Sequence, residues 1–423
     1  MIGRFVLLMN KEMKYSEFVD LYEDLGGTTK RLEKVDILAK FFRKLKEKGK
    51  DEWIYLLNGR VLPDYDSREF GISGKLVIKV ISKSFGVEKE KVNEKFKEIG
   101  DLGGVAEKFV VKRNQGVLFH SKLSAEKVFS DLRKLVDIGG KGSVGIKLNL
   151  ISGLLCSADS KEAKYIVRTL LNDLRVGVAE GILRDGLADA FFEGEGEMKE
   201  KIGESYDLAN DYAVVFDAVS KGKKALEKIE IKPGKPLKVM LPIKVTNLKE
   251  AFRICKDEAG DIAIEHKYDG FRMLIHKREK EIFLFTRKLE NVTKQFPDVV
   301  RAVKENFKGK DFILDSEVVG YDLKTGKYKP FEFISQRIKR KYNIDELINK
   351  LPVEVNVFDI LFYNGKNFMV KPFRERRKLL EMVVKRRDKV IRPSMQIVSN
   401  DFKIAEKFYR NALKIGEEGV MVK

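Results

Sequence analysis

The sequence of 423 residues is 43% hydrophobic, which is enough for two or three domains that each bury a core. Its net charge of +19 favours a polyanionic partner, either a nucleic acid or a membrane surface. No apolar run approaches the roughly 18 residues of a membrane span. The two cysteines and three histidines show no disulfide or metal-ligand spacing, so Cys156 and Cys255 are expected to be buried thiols in a reducing compartment, the cytoplasm.

The first twelve residues are predicted to lie outside the folded domains. Residues 1–9 combine one positive charge with an apolar stretch that is too short for a signal peptide, and no small-residue cleavage site follows. We therefore expect residues 1–12 to be an upstream start or a disordered extension.

Residues 13–228 are predicted to form an all-helical domain, because apolar side chains recur there at spacings of three and four and prolines are almost absent. A Gly-Gly-Lys-Gly-Ser loop at residues 139–143 interrupts the pattern. Gly142 and Ser143 would offer backbone N–H groups and a hydroxyl to a phosphate at the start of the next helix. On spacing alone, a plain turn between helices is the alternative.

A domain boundary is predicted where three prolines and a glycine fall within residues 232–242. We assign residues 229–245 to a linker at the entrance of a ligand pocket, and residues 246–423 to a second domain.

A strand, a tight turn and a second strand are predicted around Lys267-Tyr268-Asp269-Gly270-Phe271-Arg272, because apolar triplets flank an Asp-Gly pair. Glu265 and Lys267 would share one face of the first strand. A lysine beside a turn with an arginine close behind suits covalent nucleotidyl transfer, in which the amine attacks phosphorus. A surface hairpin with ordinary salt bridges is the alternative.

Three further segments carry polar groups on predicted strands. Asp315 and Glu317 share a face of an apolar strand, where a phosphate-bound Mg²⁺ would compensate their burial. Phe358 lies on the polar face of the strand at residues 353–359, where it could stack on a base or belong to the core. Residues 417–423 begin with two acids and a glycine, continue as a short predicted strand and end with Lys423.

In this order and spacing, these segments resemble the ATP-dependent DNA ligases of the archaeal and eukaryotic replicative type, from about Met13 to the last residue. The first motif alone also fits capping guanylyltransferases and RNA ligases, which lack a long helical half. The resemblance implies an all-helical DNA-binding domain followed by an adenylation (nucleotidyltransferase) domain of antiparallel sheets flanked by helices. It also implies ATP and Mg²⁺ as cofactors and nicked double-stranded DNA as the substrate. The reaction would pass through lysyl-AMP and DNA-adenylate, in replication, repair and recombination at the nucleoid.

For the nucleotide, the resemblance implies that Glu265 reads the adenine amino group and that Phe358 stacks on the adenine. Arg272 and Arg287 would hold the sugar and phosphate side. For the chemistry, it implies that Lys267 takes AMP.

The remaining implied roles concern metal, phosphate and DNA. They are assigned to the following residues: Glu317 at the ribose or metal, Glu418 at the metal, Lys423 at the α-phosphate, and Arg175 and Gly177 at the duplex backbone. Arg168 would share a helical face with Arg175, although either arginine could pair instead with Glu162 or Asp173. The basic runs at residues 337–341 and 374–377 are expected to be solvated.

The sequence stops at Lys423, where the family continues into an OB-fold domain. We therefore expect weak or no sealing by this chain alone, and a separate chain could carry the OB fold. A sliding clamp is a further expected partner, and a catalytically defective nick-binding fragment is the alternative function.

Overall fold

The computed structural model describes residues 12–114, 123–255, 261–340 and 342–423. It divides into two compact units between Ile229 and Glu230. Apart from the exposed Glu12, the prediction for residues 1–12 falls outside the described residues. No helix in the described ranges is both long and apolar enough to cross a membrane.

The first unit is helical, as predicted. Its α-helices are α1 (Tyr15–Gly26), α2 (Arg31–Lys48), α3 (Gly74–Phe85), α4 (Lys89–Ile99), α5 (Leu102–Asn114), α6 (Ala125–Asp137), α7 (Ser143–Ser157), α8 (Ser160–Leu170), α9 (Glu180–Phe192), α10 (Gly196–Ala209), α11 (Tyr212–Lys221) and α12 (Lys223–Leu226), with a 3₁₀ helix at Asp51–Asn58.

The periodically spaced apolar residues of this unit pack into a single hydrophobic core. In α1, Tyr15, Phe18, Tyr22 and Leu25 are fully buried at helical spacing. Helix ends are fixed by local chemistry, since the Asp159 carboxylate that caps α8 accepts a hydrogen bond from the backbone N–H three residues later at 2.8 Å. The spacing of apolar residues therefore gave the helices of this unit correctly.

The second unit combines helices with strands. Its helices are α13 (Leu248–Cys255), α14 (Pro297–Asn306), α15 (Phe331–Lys339), α16 (Ile344–Lys350), α17 (Phe373–Val383) and α18 (Phe402–Lys414), with a 3₁₀ turn at Thr293–Gln295. Its strands are β1 (Ala263–Lys267), β2 (Phe271–Arg278), β3 (Glu281–Thr286), β4 (Phe312–Tyr321), β5 (Tyr328–Lys329), β6 (Val353–Tyr363), β7 (Lys366–Asn367), β8 (Ile391–Pro393), β9 (Gln396–Val398) and β10 (Gly419–Val422).

These strands form two separate sheets. The small sheet has the order β10-β1-β9, and the large sheet has the order β3-β2-β4-β6-β7 with β5 on β4 and β8 parallel to β6. All other pairings are antiparallel. The predicted fold class, a helical domain followed by an antiparallel-sheet domain with flanking helices, is confirmed.

The turn after Lys267 joins the two sheets. The predicted strands on either side of it are present, but the surface-hairpin alternative is wrong, because β1 pairs with β9 and β10 while β2 pairs with β3 and β4. Gly270 permits the close approach of β2 to β4, since a Cβ atom at this position would lie 2.4 Å from the Val318 carbonyl oxygen. The sequence turn is therefore a junction between sheets.

The expectation that the basic runs are solvated is only partly met, because Arg340 and Arg374 are exposed but three other arginines are largely buried. The Arg337 side chain is 1% exposed, donates to the Asp298 carboxylate at 2.5 Å and stacks on Phe296 with its guanidinium carbon 4.4 Å from the ring centroid. Arg376 and Arg377 are also largely buried in ion pairs. The prediction assumed that charged residues lie in solvent. An arginine can instead be buried, because its aliphatic stem packs against apolar groups and its planar guanidinium pairs with a carboxylate. The two cysteine thiols are free and only half-buried.

Candidate functional site

Lys267 is the last residue of β1, and its side chain remains 44% exposed. Antiparallel pairing sets Lys267 opposite Gly419, and the Glu418 N–H donates to the Lys267 carbonyl oxygen at 3.0 Å. The Lys267 Nζ atom contacts the Glu418 carboxylate. The sheet thus brings together an accessible amine and an acid that are about 150 residues apart in sequence.

Glu265, two residues before Lys267, is 2% exposed. Its Oε1 atom accepts hydrogen bonds from Ser394 Oγ at 2.9 Å, Gln396 Nε2 at 2.9 Å and Arg377 Nη1 at 3.3 Å. Its Oε2 atom accepts from Lys423 Nζ at 2.6 Å. Four donors therefore compensate the desolvation of this buried carboxylate.

Phe358 lies on the polar face of β6, as predicted, and Val353, Val355 and Val357 are buried in the core on the other face. A bulge occurs here, since Asp315 and Ser316 on β4 pair with Asp359 and Val357 and skip Phe358. Bulges can redirect a side chain next to a functional site. The half-buried Phe358 ring is not part of the core cluster.

Lys423, for which a contact with the α-phosphate is predicted, directly follows β10 and lies beside two aromatic rings. Its ammonium lies 4.8 Å from the Phe358 ring centroid and 4.6 Å from the Phe373 ring centroid, and it bonds to Glu265. The strand direction explains this, because β10 runs antiparallel to β1 and carries Lys423 past Val422, away from Gly419 and Lys267. In this structure Lys423 therefore contacts the two residues assigned to the base.

Arg272 is held by a buried acid. Its Nε and Nη2 atoms donate to the Asp315 carboxylate at 2.9 and 2.5 Å, and its Nη1 atom donates to the Met240 carbonyl oxygen at 2.6 Å. Its guanidinium carbon is 5.5 Å from the Phe358 ring centroid. Burial acts to lower the pKa of Arg272, but the hydrogen bonds and charge of Asp315 outweigh it and raise that pKa. The segment predicted as a linker thus touches this site through Met240.

Glu317 pairs with Arg272 in the strand register and is half-buried. Burial, followed by the negative charge of Asp315, raises the pKa of the Glu317 carboxyl to about 8. The positive charges of Lys267 and Arg272 oppose the shift. A carboxyl that resists ionisation in this way would gain from a bound cation.

Arg287 is the predicted residue that the structure leaves apart from this group. It follows the end of β3 and is exposed, and within the described ranges its guanidinium forms no ion pair. Thr286, its neighbour, pairs with Met273 on β2. Arg287 thus comes one residue after the position that pairs with Met273, the neighbour of Arg272, and its side chain lies in solvent.

Sequence reasoning missed Arg377, Ser394 and Gln396, the three donors on Glu265 Oε1. They lie more than 110 residues from Glu265 in sequence, on α17 and around β9. The signal available in the sequence was the Arg376-Arg377 pair on an amphipathic helix, and we predicted that this pair would be exposed to solvent.

The helical unit presents its glycine-rich loop at a helix start. Gly142, with φ of 85°, precedes α7, and Ser143 is the first residue of that helix. The positive φ explains the glycine, and free N–H groups at a helix start attract anions. The loop residues Lys141 and Gly142 are exposed, as a phosphate site requires.

Arg168 and Arg175 do not share a helical face, so that prediction is wrong. Helix α8 ends at Leu170, and Arg175 stands in the following loop with φ of 56°. Arg168 is 14% exposed and donates to Asp101 at 2.7 and 3.1 Å, not to Glu162. Arg175 is 45% exposed and pairs with Asp173 at 2.8 Å, the alternative given for it.

Gly177 follows Arg175 in the same loop. It has φ of 61°, and its carbonyl oxygen accepts from Lys34 Nζ at 3.0 Å. This loop is therefore fixed to α2, with the Arg175 side chain left at the surface.

An accessible lysine with an acid beside it, close to a buried carboxylate and an aromatic ring, is the arrangement expected of a covalent nucleotidyltransferase. Comparison with known proteins identifies the family within this class. The family "DNA ligase N terminus" matches residues 14–188, and the family "ATP dependent DNA ligase domain" matches residues 239–423.

The DNA ligase of Nanoarchaeum equitans is 42% identical over 412 residues, covering 97% of this chain and 71% of that protein. The DNA ligases of Thermococcus onnurineus and Methanopyrus kandleri are both 37% identical over 413 residues, covering 97% of this chain and 72% and 73% of those proteins. The chain belongs to the ATP-dependent DNA ligase family.

Proposed function

We propose that Lys267 is the nucleophile of this ligase and that it carries AMP between ATP and a DNA nick. The observation that carries the proposal is the position of Lys267. Its amine is accessible at the end of β1, in contact with Glu418, and two residues from the buried Glu265.

The reaction would have three balanced displacements. The Lys267 Nζ atom, having lost a proton, attacks the α-phosphorus of ATP, and the bond to the β-phosphate oxygen breaks to release pyrophosphate. An oxygen of the 5′-phosphate at a nick then attacks the same phosphorus and breaks its bond to Nζ. Finally the 3′-hydroxyl, losing its proton, attacks the 5′-phosphate and expels AMP.

Glu265 and Phe358 support adenine binding. A carboxylate with a free acceptor position suits the 6-amino group, and an aromatic face suits the ring. Arg272 and the solvent-facing Arg287 would hold the sugar and phosphates. Lys423, whose ammonium bonds to Glu265 in this structure, would contact the α-phosphate when ATP is bound and leave Glu265 Oε2 to the base.

The residues also fit Mg²⁺. The described residues contain no group of three acids, cysteines or histidines placed to hold a metal by themselves. Mg²⁺ is commonly held by one or two carboxylates together with substrate phosphates, and Glu317 and Glu418 could supply them. When bound, the ion would neutralise charge on the phosphates. Glu418 would then exchange its contact with Lys267 for the cation.

For DNA, we assign phosphate contacts to Gly142, Ser143, Arg175 and Gly177 in the helical unit. Arg168 acts indirectly, because it ties α8 to Asp101 below the Arg175 loop. The substrate is nicked duplex DNA in the cytoplasm. A sliding clamp and a separate chain that carries an OB fold are partners proposed from the family resemblance alone.

The test is covalent labelling of the chain by ATP that carries the label on its α-phosphate. Lys267→Ala should abolish the adduct, and so should Lys267→Arg, because a guanidinium keeps its proton at any working pH. Lys277→Ala is the matched control, since it removes a lysine from β2 whose amine binds the Gly309 carbonyl oxygen at 2.6 Å. Duplex binding should be unchanged in all three variants. An adduct that maps to another lysine would overturn the assignment.

A further inference from the structure

The two oxygens of the Glu265 carboxylate have unequal partners. Three donors converge on Oε1, whereas Oε2 accepts only from Lys423 among the described residues. The Lys423 ammonium, the partner of Oε2, also lies 4.8 Å from the Phe358 ring centroid. Three donors therefore fix the orientation of the Glu265 carboxylate through Oε1, and Oε2 is the oxygen left to accept a hydrogen bond from the proposed base.

Arg377 is the charged member of the group behind Glu265. Its side chain is 11% exposed, and its Nη2 atom donates to the Ser394 carbonyl oxygen at 2.9 Å. Its Nη1 atom donates to Ser394 Oγ at 3.0 Å as well as to Glu265, and Nε donates to Glu381 at 2.7 Å. A guanidinium held at this many points keeps its place without a nucleotide.

The neighbouring arginine is directed elsewhere. Arg376 donates to the Asp359 carboxylate at 2.8 and 2.9 Å, and Arg374 pairs with Asp261 at 3.0 Å. Of the arginines on α17, Arg377 is thus the one in contact with Glu265 among the described residues. This contrast supplies a control on the same helix.

A carboxylate fixed beside the base would distinguish purines by the group that they carry at position 6. An ionised carboxylate only accepts hydrogen bonds, whereas a protonated one can also donate. Adenine offers a donor at position 6, and hypoxanthine or guanine offers an acceptor there. A carboxylate whose acceptor oxygen is fixed toward position 6 would bind the first and repel the second.

We propose that Arg377 is a positioning residue that gives the pocket its selectivity for 6-amino over 6-oxo purines, acting through Glu265 without touching the nucleotide. The inference rests on the proposed function, because it takes the Glu265 pocket as the base site. The Lys423 ammonium marks where the 6-amino donor would bind, since both are donors that suit Oε2.

The test is the ratio of the dissociation constants of ITP and ATP, measured by calorimetry with the full chain. The two nucleotides differ at position 6 of the base, so their shared phosphate contacts cancel. Arg377→Met should lower the ratio by about 10- to 100-fold, the range for losing one hydrogen bond to a charged group. Arg377→Lys, which keeps the charge but loses the planar fork, should give a smaller decrease.

Two further variants separate selectivity from general damage. Arg374→Ala should keep the wild-type ratio. In a Glu265→Gln background, Arg377→Met should no longer change the ratio, because its effect passes through the carboxylate. If Arg377→Met does not fold, Arg377→Lys decides.

A wild-type ratio in a folded Arg377 variant would overturn the inference while leaving the proposed function intact. Failure of the wild-type chain to prefer ATP would instead count against the base pocket itself. The two failures are therefore distinguishable.

Discussion

At the scale of single residues, the site is organised by carboxyl groups in different states. Glu265 has four donors and Asp315 has the forked hydrogen bonds of Arg272, whereas no residue in the described ranges donates a hydrogen bond to the Glu317 carboxylate. Burial raises the pKa of both Asp315 and Glu317, but only Asp315 has an arginine bonded to it. Glu317 is therefore the acid with most to gain from a metal ion.

A pH prediction follows for Glu317. Its pKa is raised to about 8 from an ordinary 4.5, so the folded state holds this proton more tightly than the unfolded state. Its contribution to stability should fall as pH rises from about 4.5 to 8 and be constant above that. Glu317→Gln should remove this fall, so the melting temperature of the variant minus that of wild type should increase over that interval.

The measurement is thermal unfolding without nucleotide at several pH values. Glu332→Gln, which alters an exposed acid on α15, is the matched control and should track wild type. Parallel curves for Glu317→Gln and wild type would contradict the assignment.

At the scale of elements, the site spans two sheets. β1 and β10 supply Lys267 and Glu418, whereas β2, β4 and β6 supply Arg272, Glu317 and Phe358. The chain passes from one sheet to the other through Tyr268, Asp269 and Gly270. The Tyr268 hydroxyl accepts from the Met395 N–H at 2.9 Å, and the Phe331 N–H donates to Asp269 at 3.3 Å, so the junction is held on both sides.

Gly270→Ala tests how tight this junction is. The new methyl group would lie 2.4 Å from the Val318 carbonyl oxygen and 3.1 Å from a Val319 methyl carbon, so β2 and β4 would have to separate. We expect a loss of about 1–3 kcal/mol in unfolding free energy, the usual cost of overpacking.

Denaturant unfolding is the measurement for this variant. Gly26→Ala is the control, since nothing lies within 4 Å of a Cβ atom there. Equal stability of Gly270→Ala and wild type would mean that the junction is looser than these distances indicate.

Local motifs could be predicted from sequence, and their long-range partners could not. Lys267 and Glu265 were identifiable because strand alternation and a turn fix their relation within a few residues. Arg377 and Ser394 reach Glu265 only after α17 and β9 have packed, which no local pattern encodes. The distinction between a hairpin and a junction of two sheets also depended on β10, about 150 residues later. Arg337 was misplaced for a related reason, because its partner Asp298 lies on α14.

At the scale of the whole molecule, the net charge of +19 predicts strong electrostatic attraction to DNA. The chain should bind nicked duplex with an affinity that falls steeply with salt, and each neutralised phosphate contributes about −0.9 to the log–log slope. Arg175→Ala should flatten the slope by about 0.9 and weaken binding equally on unrelated sequences, because the contact proposed for Arg175 is to the DNA backbone.

Salt titrations followed by fluorescence anisotropy would provide these slopes. Arg410→Ala removes an exposed arginine on α18 and should leave the slope unchanged. An unaltered slope in Arg175→Ala would remove that residue from the DNA surface.

The place of β1 between β9 and β10 has a consequence for synthesis of the protein. The first unit is complete near Ile229, so its helices can pack while the rest of the chain is still being translated. Lys267 leaves the ribosome long before Gly419, its pairing partner, has been added. A nascent or prematurely terminated chain could thus reach DNA through its helical unit, but Lys267, the proposed nucleophile, would lack Glu418. With Lys267 as the proposed nucleophile, we expect adenylation only in chains whose synthesis has passed β10.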